Sequence, residues 1–222
     1  MFSFFKSKKI QLPSLRRAQG SILIEKEGIE RCVSIEEFEN LTGTKFIPHL
    51  DFEDSGVFSD LSRRGLKLHK KGELTQEQLW LGSYFQKELL FPEVPSVVIR
   101  WIDSTIKWGV FANRDFKKME FIAEYTGKVR QRKRADSKNA YCFEYIAAAG
   151  FKTPYLIDAL EQGGISRYLN HSEAPNLKSS LATYQNISHI VLYAGKFIPK
   201  GTQLCYDYGP DYWAHRTAPL NL

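Results

Sequence analysis

The chain has 222 residues and a formal net charge of +6, with 43% hydrophobic and 14% aromatic side chains. Such a chain can bury a core without disulfide or metal, so global disorder is excluded. No apolar run approaches the roughly 20 residues of a membrane span, and three cysteines without a CxxC pair speak against a disulfide framework or a Cys-rich zinc module.

Residues 1–17 do not read as a secretory leader. Phe2, Phe4 and Phe5 are followed at once by Lys6, Lys8 and Lys9, which leaves no apolar h-region. A solvated terminus is the simplest reading, and a membrane-surface anchor or an unconventional export signal is the alternative. Ser34 with Glu37 forms a capping box before Phe38 and Leu41, and Gly43 is the stop of that helix. Thr75 with Gln78 starts a second helix carrying Leu79, Tyr84, Leu89 and Leu90. The first part therefore reads as mostly helical and carries no chemical signature. Phe91-Pro92-Glu93-Val94-Pro95-Ser96 is a proline-punctuated link. Before it, residues 1–95 hold 14 basic and 14 acidic side chains; after it, residues 96–222 hold 17 and 11.

The second part reads as short strands: Val97 to Ile102, Phe121 to Tyr125, Ile190 to Tyr193 and Leu204 to Tyr208. Ile198-Pro199-Lys200-Gly201 has the composition of a type I turn. Ala112 to Gly127 and Ala194 to Gly209 share Ala, Lys and Gly at matching offsets and read as two similar hairpins rather than a repeat fold.

P-loop, GxGxxG, GxSxG and HExxH patterns are all missing, and the five histidines form no i,i+3 or i,i+4 pair for a helical metal site. Three clusters remain. In Lys107-Trp108-Gly109-Val110-Phe111-Ala112 a glycine before a strand lets backbone approach a ligand. Arg167-Tyr168-Leu169-Asn170-His171-Ser172, followed by Pro175-Asn176, offers several hydrogen bonds to a polar ligand. In Leu204-Cys205-Tyr206-Asp207-Tyr208-Gly209 a strand would place Tyr206 and Tyr208 on one face, walling an apolar slot with hydroxyls inside. Taken singly, each has a plainer reading as a turn, a capped loop or core aromatics.

In this order and spacing the clusters resemble the SET domain, the protein-lysine methyltransferase fold, over roughly Val97 to Trp213. Gly109-Val110-Phe111-Ala112 is similar to the family's opening cofactor loop, and Glu124-Tyr125-Thr126-Gly127 to its E-Y-x-G strand. Ile157-Asp158-Ala159 with Arg167 to Ser172 is similar to I-D-A … R-F-I-N-H-S, and Gln203 to Gly209 to the closing E-L-x-Y-D-Y-G. Arrangement and length are most similar to the small SET proteins of chlamydia-like bacteria. There are departures: Lys107-Trp108-Gly109 has one glycine fewer than G-x-G, no Cys-rich tail follows Gly209, and the insert between Gly127 and Tyr141 is short and very basic.

The resemblance implies a mainly β SET domain of small curved sheets with a C-terminal pseudoknot, joined to an α-helical N-terminal region. The expected division is 1–95 for packing or dimerisation, 96–213 for the SET domain and 214–222 as a tail. It implies S-adenosylmethionine-dependent methylation of protein lysine, without a metal. By the same carry-over Tyr208 is the catalytic tyrosine, Tyr206 the Phe/Tyr switch, and Tyr125, Tyr141 and Tyr206 wall the lysine channel. Lys107, Trp108, Gly109, Tyr141, Asn170, His171 and Trp213 would hold the cofactor, whereas Arg167 and Asp158 are read as structural. A tyrosine at the switch favours mono- or dimethylation.

The implied substrate is a histone or a histone-like basic protein. A nucleosome or nucleic-acid contact would run through the basic stretch 128–138. A homodimer and self-methylation at Lys133 or Lys138 fit as well. The implied location is the bacterial cytoplasm, with export into a host cell and its nucleus left open. Rival readings are a catalytically silent SET module binding peptide or nucleic acid, a methyltransferase for a bacterial nucleoid protein, and a DNA-binding protein resting on charge alone.

Overall fold

Ile22 and Ile24 point into the core while Ser21 and Lys26 stay outside, the alternation of a half-buried strand. This strand, β1 (Ser21–Lys26), forms a two-residue hairpin through Glu27-Gly28 with β2 (Ile29–Ser34). The computed structural model describes residues 20–213. Residues 1–19 and the tail 214–222 therefore lie outside the described residues, and with them the export and anchor readings.

Helix α1 (Ile35–Thr42) begins where expected: the Ser34 hydroxyl accepts the Glu37 amide at 3.1 Å, and Gly43 closes the helix in the left-handed region. Short strands β3 (Lys45–Phe46) and β4 (Asp51–Phe52) follow. Helix α2 (Ser55–Lys70) is absent from the sequence reading. Its signals are Asp54, which accepts the Val57 amide at 2.9 Å, and the buried row Val57, Leu61, Gly65 and Leu68. The expected second helix divides at Phe85 into α3 (Gln76–Tyr84), with a complete Thr75–Gln78 capping box, and α4 (Gln86–Leu90).

The second half supplies β5 (Val97–Trp101), β6 (Trp108–Ala112), β7 (Phe121–Glu124), β8 (Lys128–Gln131), β9 (Cys142–Ala148) and β10 (Phe151–Asp158). After these come β11 (Gln162–Gly163), β12 (Asn170–His171), β13 (Leu177–Tyr184), β14 (Ile187–Ala194), β15 (Cys205–Tyr206) and the short helix α5 (Pro210–Trp213). The strands form small sheets ordered β2-β1-β5-β6, β4-β8-β10-β9, β13-β14-β7, β11-β3 and β12-β15. The fold is thus mostly β with few helices.

The first part carries strands beside its helices: β1 and β2 precede α1, and β3 and β4 lie between α1 and α2. It is built into the rest of the fold, because β1 pairs with β5, β3 with β11 and β4 with β8, all across the proline-punctuated link. Ile22, Ile24 and Phe38 share one core with Val110, Ile122, Leu169 and Leu204. The apolar faces of these short strands are too small to bury alone, so each completes a sheet from the other half.

The two similar stretches also prove more closely related than two separate hairpins. Gly201 donates to the Ala112 carbonyl at 2.7 Å and Ala112 to Thr202 at 2.9 Å, while Met119 donates to Ala194 at 2.8 Å and Ala194 to Glu120 at 2.9 Å. Phe116 and Ile198 exchange both bonds at the centre. Each bond maps onto another when every residue is exchanged for its counterpart in the other stretch, so these are two copies of one arc paired with each other. The turn in the second copy is not type I over Ile198 to Gly201. It closes from the Pro199 carbonyl to the Thr202 amide at 3.2 Å, with Gly201 at φ +85°.

Candidate active site

The parallel pair β12–β15 sets Asn170 beside Cys205 and His171 beside Tyr206, joining segments far apart in the chain. Asn176 fastens this junction: its amide donates to the Gln203 carbonyl at 2.7 Å, and its oxygen accepts the Cys205 amide at 3.0 Å. Burial pushes the Cys205 thiol up to about 11, which leaves it protonated and unreactive.

Tyr208 leaves this junction inward. Its backbone N–H donates to His171 Nδ1 at 3.2 Å, and its hydroxyl donates to the Leu169 carbonyl at 2.7 Å. The Asp207 carboxylate lies 3.6 Å from the same ring nitrogen. The strand is shorter than expected, yet the Tyr206 and Tyr208 rings still lie together, centroids 4.8 Å apart.

The Tyr125 hydroxyl donates to the Tyr141 carbonyl at 3.0 Å. Burial, reinforced by neighbouring phenols, holds the hydroxyls of Tyr125, Tyr206 and Tyr208 well above the ordinary tyrosine value. All three are neutral at physiological pH. They can donate or accept hydrogen bonds but cannot serve as phenolate bases. Tyr141, the third expected wall residue, is half-buried, and the Arg167 guanidinium lies 4.0 Å from its ring centroid.

Gly109 lies inside β6. A Cβ there would stand 2.7 Å from Ile102 Cδ1, 3.0 Å from Gln203 Nε2 and 3.2 Å from Asn170 Nδ2. Two carboxamides therefore close on bare backbone, and the Asn170 amide donates to the Trp108 carbonyl at 3.3 Å. Lys107, which stands in place of a glycine of the G-x-G pattern, takes the left-handed conformation a glycine would, φ +67°. Trp213 stacks parallel to Tyr208 at 6.1 Å and meets the His171 ring edge-on at 4.9 Å.

The expected site residues therefore fall into two adjoining groups. Lys107, Trp108, Gly109 and Asn170 form a cradle of backbone and amides. Tyr125, Tyr141, Tyr206 and Tyr208 form a phenol-lined wall, and His171 and Trp213 sit between the groups. Arg167 lies against the Tyr141 ring and bonds the Ala159 and Leu160 carbonyls at 2.6 and 3.0 Å, whereas Asp158 pairs with Arg130. Arg130 is the exception within the basic stretch, buried and paired where a solvated side chain is expected. Tyr212, 4.6 Å from Tyr208 between ring centroids, joins the site although only its place in Pro210 to Trp213 hints at it.

Residues 107–209, just under half of the chain, match the family model described as SET domain. N-lysine methyltransferase KMT5A of Xenopus tropicalis is 38% identical over 110 residues, 46% of this chain and 32% of that protein. Histone-lysine N-methyltransferase Set8 of Drosophila pseudoobscura pseudoobscura is 38% identical over 113 residues, 46% of this chain and 16% of that protein. Histone H3-lysine(4) N-trimethyltransferase ATX1 of Arabidopsis thaliana is 31% identical over 106 residues, 46% of this chain and 10% of that protein. The chain thus spans a third or less of the length of these relatives.

Proposed function

From the match of residues 107–209 to the SET domain family we propose that this chain is an S-adenosylmethionine-dependent protein-lysine N-methyltransferase acting on histones or histone-like basic proteins. The observation that carries the reading is the Tyr208 hydroxyl locked onto the Leu169 carbonyl, with the neutral phenols of Tyr206 and Tyr125 beside it. A silent binding module has no use for a buried phenol held so firmly. The cradle fits the cofactor: Gly109 offers backbone where any side chain would collide with the Asn170 and Gln203 amides. When bound, S-adenosylmethionine supplies an activated methyl group for the lysine ε-amine.

The protein's own residues do the rest. Trp108, Gly109 and Asn170 would hold the cofactor's polar end, with Lys107 shaping the loop and His171 and Trp213 beside it. Tyr125, Tyr141 and Tyr206 desolvate the entering amine, which favours its uncharged, nucleophilic form against a reference pKa of about 10.4. Tyr208, with the surrounding carbonyls, orients the reacting groups through weak C–H···O contacts whose value lies in alignment. The ammonium proton leaves to solvent before attack.

The Tyr206 hydroxyl crowds an amine that already carries methyl groups, so the product is mono- or dimethyl-lysine, and Tyr206→Phe raises the degree of methylation. The exposed basic side chains of residues 128–138 support nucleosomes or other protein–DNA complexes as the preferred form of substrate. The stacked, half-exposed Trp80–Tyr84 pair on α3 supports a homodimer through the N-terminal half, which a solution mass measurement tests. The order of a helix-bearing first part before the SET-like second part is the basis for proposing kinship with the small SET proteins of chlamydia-like bacteria, acting in the bacterial cytoplasm or, after export, in a host nucleus.

The test is intact mass after incubation with S-adenosylmethionine and nucleosomes, free histones or a bacterial histone-like protein. Gains in single-methyl steps, lost in Tyr208→Phe, are expected. Cofactor binding without any gain on any of these substrates would overturn the reading.

A further inference from the structure

Arg130 and Asp158 bind each other far more completely than a surface ion pair does. The five N–H donors of Arg130 are all used. Nε and Nη2 reach Asp158 Oδ2 at 3.0 and 2.7 Å, Nη1 and Nη2 reach the two Asp136 oxygens at 2.9 and 2.6 Å, and Nη1 also reaches the Gln131 carbonyl at 3.1 Å. The other Asp158 oxygen accepts from the Asn139 amide at 2.9 Å and the Leu160 N–H at 3.0 Å. Asn139 Oδ1 then accepts the Tyr141 N–H at 2.9 Å. Finally, the Tyr141 carbonyl accepts both the Tyr125 hydroxyl at 3.0 Å and the Ala159 N–H at 2.9 Å.

We propose that Arg130, Asp136, Asp158 and Asn139 are positioning residues that transmit the placement of the basic insert to the lysine channel. They do so through Tyr141, and they thereby set how tightly the substrate lysine is held and how many methyl groups it receives. The inference rests on the methyltransferase reading above. Its physical basis is that the Tyr141 N–H is held from the insert by Asn139, while the carbonyl of the same residue holds the Tyr125 hydroxyl together with the Ala159 N–H. The insert contributes Asp136 and Asn139, the strands on either side contribute Arg130 and Asp158, and the carbonyl at the end of the sequence of bonds holds a wall hydroxyl. Freeing the Tyr141 N–H lets that carbonyl shift, and the Tyr125 hydroxyl shifts with it. Misplacement by an ångström is enough to change rates by orders of magnitude. The bonds named above lead from these residues to Tyr141 and the Tyr125 hydroxyl, on the phenol wall rather than the Asn170–Gly109 cradle, so the effect is expected on the amine and not on the cofactor.

The experiment compares wild type with Asn139→Ala, and with Asn139→Ser as a milder version, on one methylatable substrate. KM for the substrate is expected to rise about tenfold and the ratio of higher to monomethylated product to increase about fivefold, the scale of a small misplacement. Cofactor affinity and the far-UV spectrum should stay at wild-type values. A purely structural role would lower thermal stability and the active fraction while leaving KM and the product ratio of the folded enzyme unchanged, and that result overturns the proposal. Hydrogen exchange of wild type gives an answer independent of variants and of activity. The Tyr141 amide should be as protected as those of neighbouring strand β9, although it follows an exposed insert. A freely exchanging Tyr141 amide would refute the relay even if methylation is found, whereas a protected amide in a protein that never methylates would count against the function and not against the relay.

Discussion

Met119 and Gly201 hold equivalent places in the two paired arcs, both with positive φ, +69° and +85°, and each donates its N–H to the first alanine of the other arc. At one place the chain uses glycine; at the other it accepts the strain of a side chain, and Met119 recovers part of that by packing beside Leu81 and Phe85. Gly201→Ala, with no neighbouring atom near enough to collide, should cost about 1 kcal/mol from backbone conformation alone. Met119→Gly should fall close to neutral, because relieved backbone strain offsets lost packing. Urea unfolding of the two variants checks the asymmetry, and equal losses in both would contradict it.

Gly109→Ala tests the cradle. The added methyl must displace Ile102, Gln203 or Asn170, and the Asn170 amide would give up its bond to the Trp108 carbonyl. Titration calorimetry should show cofactor affinity reduced at least tenfold, about 1.4 kcal/mol. Wild-type affinity would mean that the cofactor does not lie against Gly109.

The buried phenols predict alkaline behaviour. Tyr125, Tyr206 and Tyr208 are raised above the ordinary value in the folded state. Their contribution is therefore fully present below the unfolded tyrosine pKa of about 10 and is lost as pH climbs beyond it. Phenolate absorbance should show these tyrosines ionising late and together with unfolding. Methylation should likewise rise with pH as the substrate amine deprotonates, without a falling limb below about pH 10.

The acid side depends on the insert. The Arg130 guanidinium, hydrogen-bonded to Asp136, holds that carboxyl below its ordinary value. Stability from the pair is present above the unfolded carboxylate pKa of about 4 and disappears as pH falls through the lower folded value. Near-UV spectra of wild type and Asp136→Asn should therefore converge only under strongly acid conditions.

Charge in the basic stretch predicts a modest salt dependence. Arg130 is neutralised internally and Arg132 pairs with Glu144 at 2.8 Å, which leaves Lys128, Lys133, Arg134 and Lys138 exposed. Four phosphate contacts give a slope of about −3.6 for log affinity against log salt. A steeper slope would require a second basic surface outside residues 128–138.

Local signals were legible without coordinates. Ser34 and Thr75 announced their helices because a cap needs only a side-chain oxygen and an amide three residues on. Strands β5, β7 and β14 showed in runs of β-branched and aromatic residues, and the Asn170 and Tyr206–Tyr208 blocks were recognisable from order and spacing alone. What the sequence by itself determined was therefore the set of elements with strong local chemistry and the residue types of the site. Only the tertiary structure decided how they meet: that β1 completes a sheet with β5, that Asn170 lies beside Cys205, that Arg130 is buried between Asp136 and Asp158, and that Asn139 holds Tyr141. Pairings of this kind depend on long loops closing around a shared core, and no local pattern encodes the register at which two distant short strands meet.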